Sequence, residues 1–364
     1  MQIDPWSNVN VKDYDRVIKE FGVEKTENLH KKLPLENIYF KRGLIFGHKD
    51  LNKIIEASTK KKPFVMLTGL MPSGRFHLGH KVVADLMVYF QNLGAECYVA
   101  VADIESFLTR NIPLEQAKKV AIEEYLTNYI ALGLKPKKTK FYFQSNGSKN
   151  YMNFSKIVSK KTTFNELKSV YGDLTPEKII SALTQVADIL HPQLKENNGP
   201  KPVVVPVGTD QLPHISLARD IAYRMRSEYN FILPSATFHK LIPGVKGGKM
   251  ASSDPSSAIF LTDSPEEVTT KIKKYAFSGG QKSLKEHKEK GGNPDIDISF
   301  IYLKTMFEPD DKKLNKIYQD YKSGSLLTSE LKEITIEKIN SFLKDHQQKR
   351  KQAIKQIDKF IIKE

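Results

Sequence analysis

A glycine-rich turn between an apolar run and an amphipathic stretch constrains the fold of this chain most strongly. The run Phe64 to Leu67 has the character of a buried strand, and residues 78–93 repeat apolar side chains at helical spacing. Between the two lie Gly69, the segment Met71-Pro72-Ser73-Gly74 and the segment His77-Leu78-Gly79-His80. A strand, a turn and a helix in this order aim backbone N–H groups and the positive end of a helix at the turn, which favours a bound phosphate.

Strand-like and helical segments alternate along the chain after this turn. The predicted strands are Phe64–Leu67, Tyr98–Ala102, Lys140–Phe143 and Pro202–Val207, and the predicted helices are 78–93, Pro113–Leu132, Pro176–Leu190 and Leu212–Met225. Such alternation predicts an α/β fold whose parallel sheet is wrapped by helices and binds ligands at the carboxyl ends of its strands. Beyond Asp263 the pattern predicts helices only.

A second loop, Gly247-Gly248-Lys249-Met250-Ala251-Ser252-Ser253, places a lysine between glycines and hydroxyl groups. It is suited to closing over a polyphosphate and to stabilising the charge of a leaving pyrophosphate. Each motif also has a plain explanation, because the first could be a capped turn with surface histidines and the second a solvated basic loop. Together, in this order and at this separation, they predict a site for ATP.

Composition is consistent with a nucleic-acid partner but does not specify one. The 364 residues carry a formal net charge of +15 and a pI of about 9.4, which suits a polyanion such as RNA. The single cysteine, Cys97, lies in an apolar run, which excludes an intramolecular disulfide and predicts a core position. No apolar stretch reaches membrane-spanning length and the N-terminus lacks a secretory profile, so we expect a cytoplasmic protein.

Two polar clusters fall where the predicted sheet opens. Gly208, Asp210 and Gln211 follow an apolar run, and Asp210 is either a ribose ligand or an ordinary helix cap. Gln185 and Asp188 lie one turn apart on a helix that is otherwise apolar. A buried Asp188 needs a partner, which could be a ligand N–H or O–H, a lysine or a backbone amide.

The two loops resemble the H-I-G-H and K-M-S-K-S signatures of the class I aminoacyl-tRNA synthetases. The resemblance implies a Rossmann-like parallel-sheet nucleotide-binding catalytic domain with an α-helical C-terminal domain, with ATP as substrate and Mg2+ as cofactor. It implies catalytic roles for His77, His80 and Lys249. The ATP contacts that it implies are Met71, Pro72, Ser73, Gly74, His77, Gly79, His80, Gly208, Asp210, Gln211, Lys249, Met250, Ser252 and Ser253. No metal site made of protein side chains is expected.

Segments outside the signatures resemble the archaeal and eukaryotic branch of the tryptophanyl-tRNA synthetase family. They are Asp4-Pro5-Trp6, Arg42 to Asp50, Ser257 to Asp263, Ala276 to Gly280 and Gly291-Gly292-Asn293. The resemblance implies a tryptophan pocket that contains Leu67, Gly69, Glu105 on a loop, Gln185 and Asp188. Two features depart from the pattern: many relatives have tyrosine and glutamine where this chain has Leu67 and Ala100, and the second signature has Ser252 in place of its second lysine. Lys246 or Arg75 could supply the missing charge.

The implied organisation has three parts. Residues 1–62 form an N-terminal extension, 63–263 the catalytic domain, with an insertion for dimer contact at about 110–180, and 264–364 a helical region that binds the tRNA anticodon. The implied partners are tRNA(Trp), L-tryptophan and a second copy of the chain, with no membrane and no DNA. The alternatives are a tyrosyl-tRNA synthetase, a small-molecule adenylating enzyme and a non-catalytic tRNA-binding paralogue.

Overall fold

The computed structural model describes residues 13–27, 29–252 and 254–361. The chain separates into two compact units. The first unit takes its described residues from 1–73, 82–240 and 353–364, and the second unit consists of the described residues of 74–81 and 241–352. The division into three parts made from the sequence stays a prediction.

The first unit contains a seven-stranded sheet in the order β1-β2-β7-β6-β3-β4-β5. Its strands are β1 Glu24–Lys25, β2 Ile45–Lys49, β3 Val65–Leu70, β4 Glu96–Val101, β5 Thr139–Phe143, β6 Val203–Gly208 and β7 Ser235–His239. The strands from β7 to β5 are parallel, whereas β2 pairs antiparallel with β7 and β1 antiparallel with β2. The predicted parallel α/β sheet is confirmed, and three strands that the sequence pattern did not predict, β1, β2 and β7, extend it on one side.

Helices follow the strands in alternation up to residue 229 and continue alone after residue 264. The first group is α1 Tyr14–Phe21, α2 Ile38–Lys41, α3 Leu51–Thr59, α4 Leu78–Asn92, α5 Asp103–Arg110, α6 Leu114–Val120, α7 Thr127–Ala131, α8 Lys149–Ile157, α9 Phe164–Tyr171, α10 Pro176–Leu190, α11 Leu212–Arg224 and α12 Arg226–Tyr229. The second group is α13 Pro265–Thr270, α14 Leu284–Lys290, α15 Ile298–Tyr302, α16 Asp311–Ser323 and α17 Thr328–Ala353.

Short segments with other helical spacing connect or extend these helices. Segments with π-helical spacing are Ala121–Leu126, Lys271–Tyr275 and Leu303–Phe307, and the first of them joins α6 to α7. The 3-10 turns are Leu29–Lys32, Gln144–Asn146, Val158–Lys161, His191–Gln193, Lys195–Asn197, Thr209–Gln211 and Ile354–Lys359. None of the helices described combines the length and the apolar character that a bilayer span requires.

The order of the strands creates a crevice between β3 and β6. The chain moves from β3 to β4 and β5 on one side, whereas β6 and β7 lie on the other side of β3. The pairing of β3 with β6 is limited to Val65 opposite Val203 and Met66 opposite Val204, so the two strands are unpaired toward their carboxyl ends. In open α/β sheets this reversal of strand order is where ligands bind.

One face of the parallel strands packs against α10. Leu67, Tyr98, Ala100 and Tyr142 share a buried hydrophobic cluster with apolar residues of that helix. Alternation along each strand puts these side chains on the same face, because they occupy matching positions in the register of β3, β4 and β5. Cys97 is fully buried, as predicted, and lies on the opposite face of β4.

Candidate active site

The two histidines of the first motif close the start of α4. The Gly79 N–H donates to Nδ1 of His77 at 3.1 Å, and the His77 N–H donates to Nδ1 of His80 at 3.2 Å. His77 thus caps the N–H of the second helical residue, and His80 in the third position caps the N–H of His77, an arrangement close to the capping box of a serine and a glutamate. The capped turn and the ligand site are thus compatible explanations, because each ring uses only one of its nitrogens for the cap.

Burial keeps both imidazoles neutral near pH 7. Burial, with a smaller effect of the nearby Lys249 charge, lowers the pKa of His77 to about 4. The pKa of His80 is also well below the usual value, because the ring is buried and lies against His77 at a centroid distance of 3.7 Å. A neutral imidazole whose Nδ1 accepts a hydrogen bond carries its proton on Nε2. The cap therefore makes Nε2–H a donor in both histidines.

The backbone of this helix start differs from the prediction of free N–H groups. The Leu78 N–H donates to the Ile259 carbonyl at 3.0 Å, and the His80 N–H donates to the His77 carbonyl at 2.9 Å. Together with the Gly79 bond, these contacts occupy the N–H groups of the first three helical residues. The donors that the turn offers to a phosphate are therefore imidazole groups, because the cap satisfies the amides.

Gly79 is required by the position of the His77 ring. A Cβ atom at Gly79 would lie 2.9 Å from Cε1 and 3.0 Å from Nδ1 of His77. Such contacts are closer than non-bonded carbon atoms tolerate without a shift. A side chain here would displace the imidazole and the hydrogen bond that fixes its tautomer.

The second motif is folded back on itself before its lysine. The Gly244 N–H donates to the Gly248 carbonyl at 2.5 Å, and the Gly247 N–H donates to the Gly244 carbonyl at 2.8 Å. Gly247 has a φ of +87°, which other residues rarely adopt. A Cβ atom at Gly244 would lie 2.4 Å from the Ser257 carbonyl oxygen, so this position also requires glycine. The result is a compact loop that presents Lys249 at the surface.

The second unit brings the two motifs into contact. The hydroxyl of Ser252 donates to the carbonyl of Arg75 at 3.0 Å. The sulfur of buried Met250 lies 3.6 Å from where a Cβ of Gly79 would stand, and a Cβ at Gly74 would lie 2.7 Å from Cβ of Ser252. The convergence predicted from the sequence is therefore present in the structure. Ser253 lies outside the described residues.

Arg75 is joined through its backbone carbonyl to Ser252, the residue in the position of the missing lysine. Its guanidinium donates to Thr262 at 2.7 Å and to Asp263 at 3.1 Å, and it lies 4.2 Å from the centroid of the Phe260 ring. Asp263 is buried and also accepts from Lys271 at 2.6 Å, so this group of two cations and one carboxylate keeps a net positive charge. The Arg75 side chain remains 41% exposed, which leaves part of the guanidinium accessible to an anion.

Lys246, the other cation considered for this role, has a different environment. Its ammonium pairs with Asp254 at 3.1 Å, and both side chains are about half exposed. The same ammonium lies 5.8 Å from the centroid of the Tyr275 ring. This pair is close to electrically neutral, and a solvent-exposed pair of this kind contributes little.

In the first unit, the predicted nucleotide contacts flank the crevice between β3 and β6. Met71, Pro72 and Ser73 follow β3, where the Ser73 N–H donates to the Met71 carbonyl at 2.9 Å. Gly208 ends β6, and Asp210 and Gln211 form the turn before α11. The cap residue of α11 is Gln211, without a side-chain capping bond, so the ordinary explanation of Asp210 as a helix cap does not hold.

Asp188 lies in the protein interior among polar side chains of the first unit. Its Oδ1 accepts from Tyr142 at 3.0 Å and from Tyr151 at 2.7 Å, and its Oδ2 accepts from Nε2 of Gln144 at 2.7 Å. Burial raises the pKa of Asp188 to about 6, although these three donors oppose the increase. The partners are side-chain donors, neither a lysine nor a backbone amide, and they hold the carboxylate in one orientation.

The other predicted pocket residues lie around the same helix. Gln185, one turn before Asp188 on α10, donates from Nε2 to Oε1 of Gln211 at 3.1 Å. Leu67 is buried on the sheet face that packs against α10, and no atom lies within 4 Å of a Cβ built at Gly69. The first unit thus brings these residues together beside an open space over β3.

The placement of Glu105 on a loop was wrong. Glu105 lies in the first turn of α5, which begins at Asp103. Two acidic residues in a first helical turn favour a helix, because they face its positive end. Glu105 is nevertheless near the pocket, since its charge contributes to the raised pKa of Asp188.

Sequence reasoning missed Tyr142, Gln144 and Tyr151. They lie 46, 44 and 37 residues from Asp188 in sequence, so no local spacing relates them to it. One signal was available, because Tyr142 and Gln144 stand at the carboxyl end of a predicted strand, where α/β sheets place ligand contacts. Nothing comparable indicates Tyr151.

Three features together define a class I aminoacyl-tRNA synthetase. They are the neutral, capped histidine pair, the lysine loop that contacts its turn, and the crevice where the strand order of the sheet reverses. A family model described as tRNA synthetases class I (W and Y) matches residues 59–344, so the chain belongs to that family.

Individual relatives are tryptophan enzymes. The tryptophan–tRNA ligase of Aeropyrum pernix is 43% identical over 358 residues, which cover 97% of this chain and 95% of the relative. That of Methanocaldococcus jannaschii is 42% identical and covers 97% of this chain and 96% of its own length. The crystal structure of the Aeropyrum pernix tryptophanyl-tRNA synthetase matches with a TM-score of 0.92 at 42% identity over 99% of each chain. The Giardia lamblia tryptophanyl-tRNA synthetase matches with a TM-score of 0.88 at 27% identity, covering 98% and 99% of the two chains.

Proposed function

We propose that this chain is an ATP-dependent tryptophan–tRNA ligase. In the first step a carboxylate oxygen of L-tryptophan attacks the α-phosphorus of ATP, and pyrophosphate leaves. In the second step a hydroxyl of the terminal ribose of tRNA(Trp) attacks the carbonyl carbon of the adenylate, and AMP leaves. The observation that carries the proposal is the contact of the lysine loop with the histidine turn through Ser252, Arg75 and Met250.

The first step requires positioned donors and no enzyme nucleophile, because the transition state develops charge on phosphate oxygens. We assign the Nε2–H donors of His77 and His80 to the phosphates and Lys249 to the pyrophosphate. Gly74, Met250, Ser252 and Ser253 are assigned to the same end of ATP. Met71, Pro72, Ser73, Gly79, Gly208, Asp210 and Gln211 are assigned to its remaining contacts, with Asp210 at the ribose.

The second signature lysine is replaced by Arg75 in this proposal. The backbone carbonyl of Arg75 accepts from Ser252, which occupies the place of that lysine, and the charge of the Arg75 side chain is only partly balanced by Asp263. Lys246 is paired with Asp254 at the surface, where solvent screens its charge.

Tryptophan is favoured over tyrosine as the amino acid. The relatives that are 40–43% identical over 97% of the chain are tryptophan–tRNA ligases. The pocket is assigned to Leu67, Gly69, Glu105, Gln185 and Asp188, with Asp188 at its polar end. A pocket built around a buried acceptor rejects a ligand that lacks the donor by roughly 10,000-fold or more, so phenylalanine is excluded without editing.

Mg2+ enters the proposal with ATP. In the part of the chain that the structure describes, no group of three or more His, Cys, Asp or Glu side chains is arranged to hold a metal ion. Mg2+ that binds with ATP is held mainly by phosphate oxygens and water, and no step is assigned to a protein-held Mg2+.

The remaining partners follow from the same assignment. The helical region after residue 264 contacts the tRNA anticodon, and the exposed Lys344 and Lys351 of α17 suit a phosphate backbone. The enzyme works in the cytoplasm, without DNA or a membrane as a partner. It acts as a homodimer through residues of the 110–180 insertion, where Met152, Ile157, Phe164 and Ile180 expose apolar side chains.

Exchange of labelled pyrophosphate into ATP tests the proposal. We expect exchange that depends on tryptophan, with a kcat/KM for phenylalanine lower by about 10,000-fold or more and a kcat/KM for tyrosine below that for tryptophan. Charging of bulk tRNA with tryptophan should follow. Exchange supported better by tyrosine would establish the tyrosyl alternative, and exchange without charging would exclude an aminoacyl-tRNA ligase.

A further inference from the structure

Three adjacent strands contribute a row of residues that is open at Gly69 and reaches Asp188 through Tyr142. Gly69 of β3, Ala100 of β4 and Tyr142 of β5 lie next to one another in register. Gly69 and Ala100 contribute almost no side chain, and a Cβ built at Gly69 has no atom within 4 Å. Tyr142 belongs to this row, and its hydroxyl donates a hydrogen bond to Asp188. An aromatic ligand over Gly69 and Ala100 would therefore have its polar neighbours at the Asp188 end.

The carboxylate of Asp188 has little accepting capacity left. Two carboxylate oxygens offer about four positions for donors. The hydroxyls of Tyr142 and Tyr151 occupy both positions of Oδ1, and Nε2 of Gln144 occupies one of Oδ2. The carboxylate of Asp188 therefore mainly orients these three side chains.

Gln144 presents a further acceptor beside Asp188. Its side chain is 4% exposed, and Nε2 is fixed on Asp188. That bond determines which amide atom is oxygen, because a carboxylate cannot accept from a carbonyl. Within the described residues, Oε1 of Gln144 is buried and has no hydrogen-bond donor. Burying an amide oxygen without a partner costs about 1–3 kcal/mol, so such an atom is expected to meet a donor in the working state of the protein.

We infer that Oε1 of Gln144 accepts the indole N–H of bound tryptophan, and that Asp188 is the positioning residue that orients its amide. The inference rests on the proposed function and assigns its specificity to a further residue. Indole has a single N–H donor and no acceptor, so one oriented carbonyl satisfies its polar requirement.

The test compares tryptophan with 3-(benzothiophen-3-yl)alanine, in which sulfur replaces the indole N–H at nearly the same shape. Gln144→Met keeps the length of the side chain and removes both amide atoms. Pyrophosphate exchange is measured with each amino acid for the wild type and the variant. We expect the preference of the wild type for tryptophan to fall about 10- to 100-fold in Gln144→Met, because the loss of one buried hydrogen bond to the ligand is of this size. The effect should lie in the KM for tryptophan, with kcat and the KM for the sulfur analogue little changed.

Gln193→Met is the matched control. Gln193 is also buried, but its amide is satisfied at both ends by the backbone of Ile232, at 2.8 Å and 2.9 Å. Its substitution should lower the melting temperature without changing the ratio between the two amino acids. Gln144→Leu is a second variant in case Gln144→Met does not fold, as judged by circular dichroism.

The outcomes separate the inference from the proposed function. Tryptophan-dependent exchange in the wild type, with an undiminished preference for tryptophan in both Gln144 variants, would overturn the inference alone. Equal losses with both amino acids would also overturn it, because they indicate a structural role. A wild type without tryptophan-dependent exchange would instead refute the proposed function.

Discussion

At the residue scale, we propose that each histidine of the H-x-G-H turn serves two purposes through its two ring nitrogens. Nδ1 accepts the capping hydrogen bond and Nε2 carries the proton, so we expect stability and catalysis to depend on different atoms of the same ring. The sequence predicted the two residues but not this division of roles. Spacing shows that His77 and His80 flank a glycine, whereas the tautomer depends on which backbone N–H each ring meets.

Asparagine and glutamine at position 80 should separate the two roles. The Oδ1 of asparagine can replace Nδ1 as the cap acceptor, whereas the Nε2 of glutamine can replace the distal donor. We expect His80→Asn to lower the kcat of pyrophosphate exchange by about 100- to 1,000-fold with little change in melting temperature. His80→Gln should retain more activity and lose about 1 kcal/mol of stability, the usual cost of a lost cap. The reverse order in exchange and thermal melting would refute the assignment of Nε2 to the phosphates.

The pH dependence of tryptophan binding should follow Asp188. Burial raises the pKa of Asp188 to about 6, whereas burial lowers the pKa of His77 and of His191 to about 4. The carboxylate that orients Gln144 is therefore present above pH 6 and lost as the pH falls through that value. Tyr142 and Tyr151 stay protonated over this range, because burial raises the pKa of each phenol well above its usual value.

We expect the KM for tryptophan to rise about tenfold from pH 7 to pH 5, as for a ligand that requires the ionised form of one group. The kcat should stay nearly constant, since His77 and His80 remain neutral throughout. The sulfur analogue of tryptophan serves as the control, because it donates no hydrogen bond to the oriented amide. A KM for tryptophan that is flat between pH 5 and 7 would argue against a titrating Asp188 in the pocket.

At the element scale, the sequence predicted the interior strands and missed those at one side of the sheet. β3, β4 and β6 are buried on both faces and read as continuous apolar runs, which is typical of parallel strands. β7 is also fully buried, but its sequence Ser-Ala-Thr-Phe-His is not a continuous apolar run and so does not indicate that burial. β2 contains a glycine and shows no alternation of polar and apolar residues, and β1 has only two residues. The pairing of β2 with β7 joins residues about 190 positions apart, which no local pattern records.

The lysine loop allows a direct test of which cation compensates for Ser252. We expect Lys249→Met to lower kcat by about 100- to 1,000-fold, because it removes a donor to the leaving group. Arg75→Gln should lower kcat more than Lys246→Gln, the matched control, whose ammonium is paired at the surface. Ser252→Lys, which restores the cation of the signature, should recover activity when combined with Arg75→Gln.

Melting temperatures of these variants distinguish the effect of a lost charge on kcat from the effect of a destabilised structure. Asp263 keeps Lys271 as a partner when Arg75 is replaced, so the buried carboxylate does not become unpaired. If Arg75→Gln and Lys246→Gln have the same kcat, or if Ser252→Lys gives no recovery at unchanged stability, then Arg75 does not replace the second lysine.

At the scale of the whole molecule, four of the large apolar side chains exposed among the described residues lie on three consecutive helices of the first unit. Met152 and Ile157 lie on α8, Phe164 begins α9 and Ile180 lies on α10. Scattered apolar residues on a surface are ordinary, but several on consecutive helices are typical of an interface. The net charge of +15 opposes association of two copies, so a stable dimer requires apolar contacts of this kind.

Phe164→Asp should convert the proposed homodimer into a monomer. Phe164 is 58% exposed and stands in the first turn of α9, where an acidic residue is compatible with the helix. Leu284→Asp is the matched control, because Leu284 is also 58% exposed and begins α14, outside the 110–180 insertion. We expect light scattering coupled to size-exclusion chromatography to give the mass of two chains for the wild type and Leu284→Asp, and of one chain for Phe164→Asp. A wild type with the mass of a single 41.4 kDa chain would refute the dimer, and a dimeric Phe164→Asp would place its contact elsewhere.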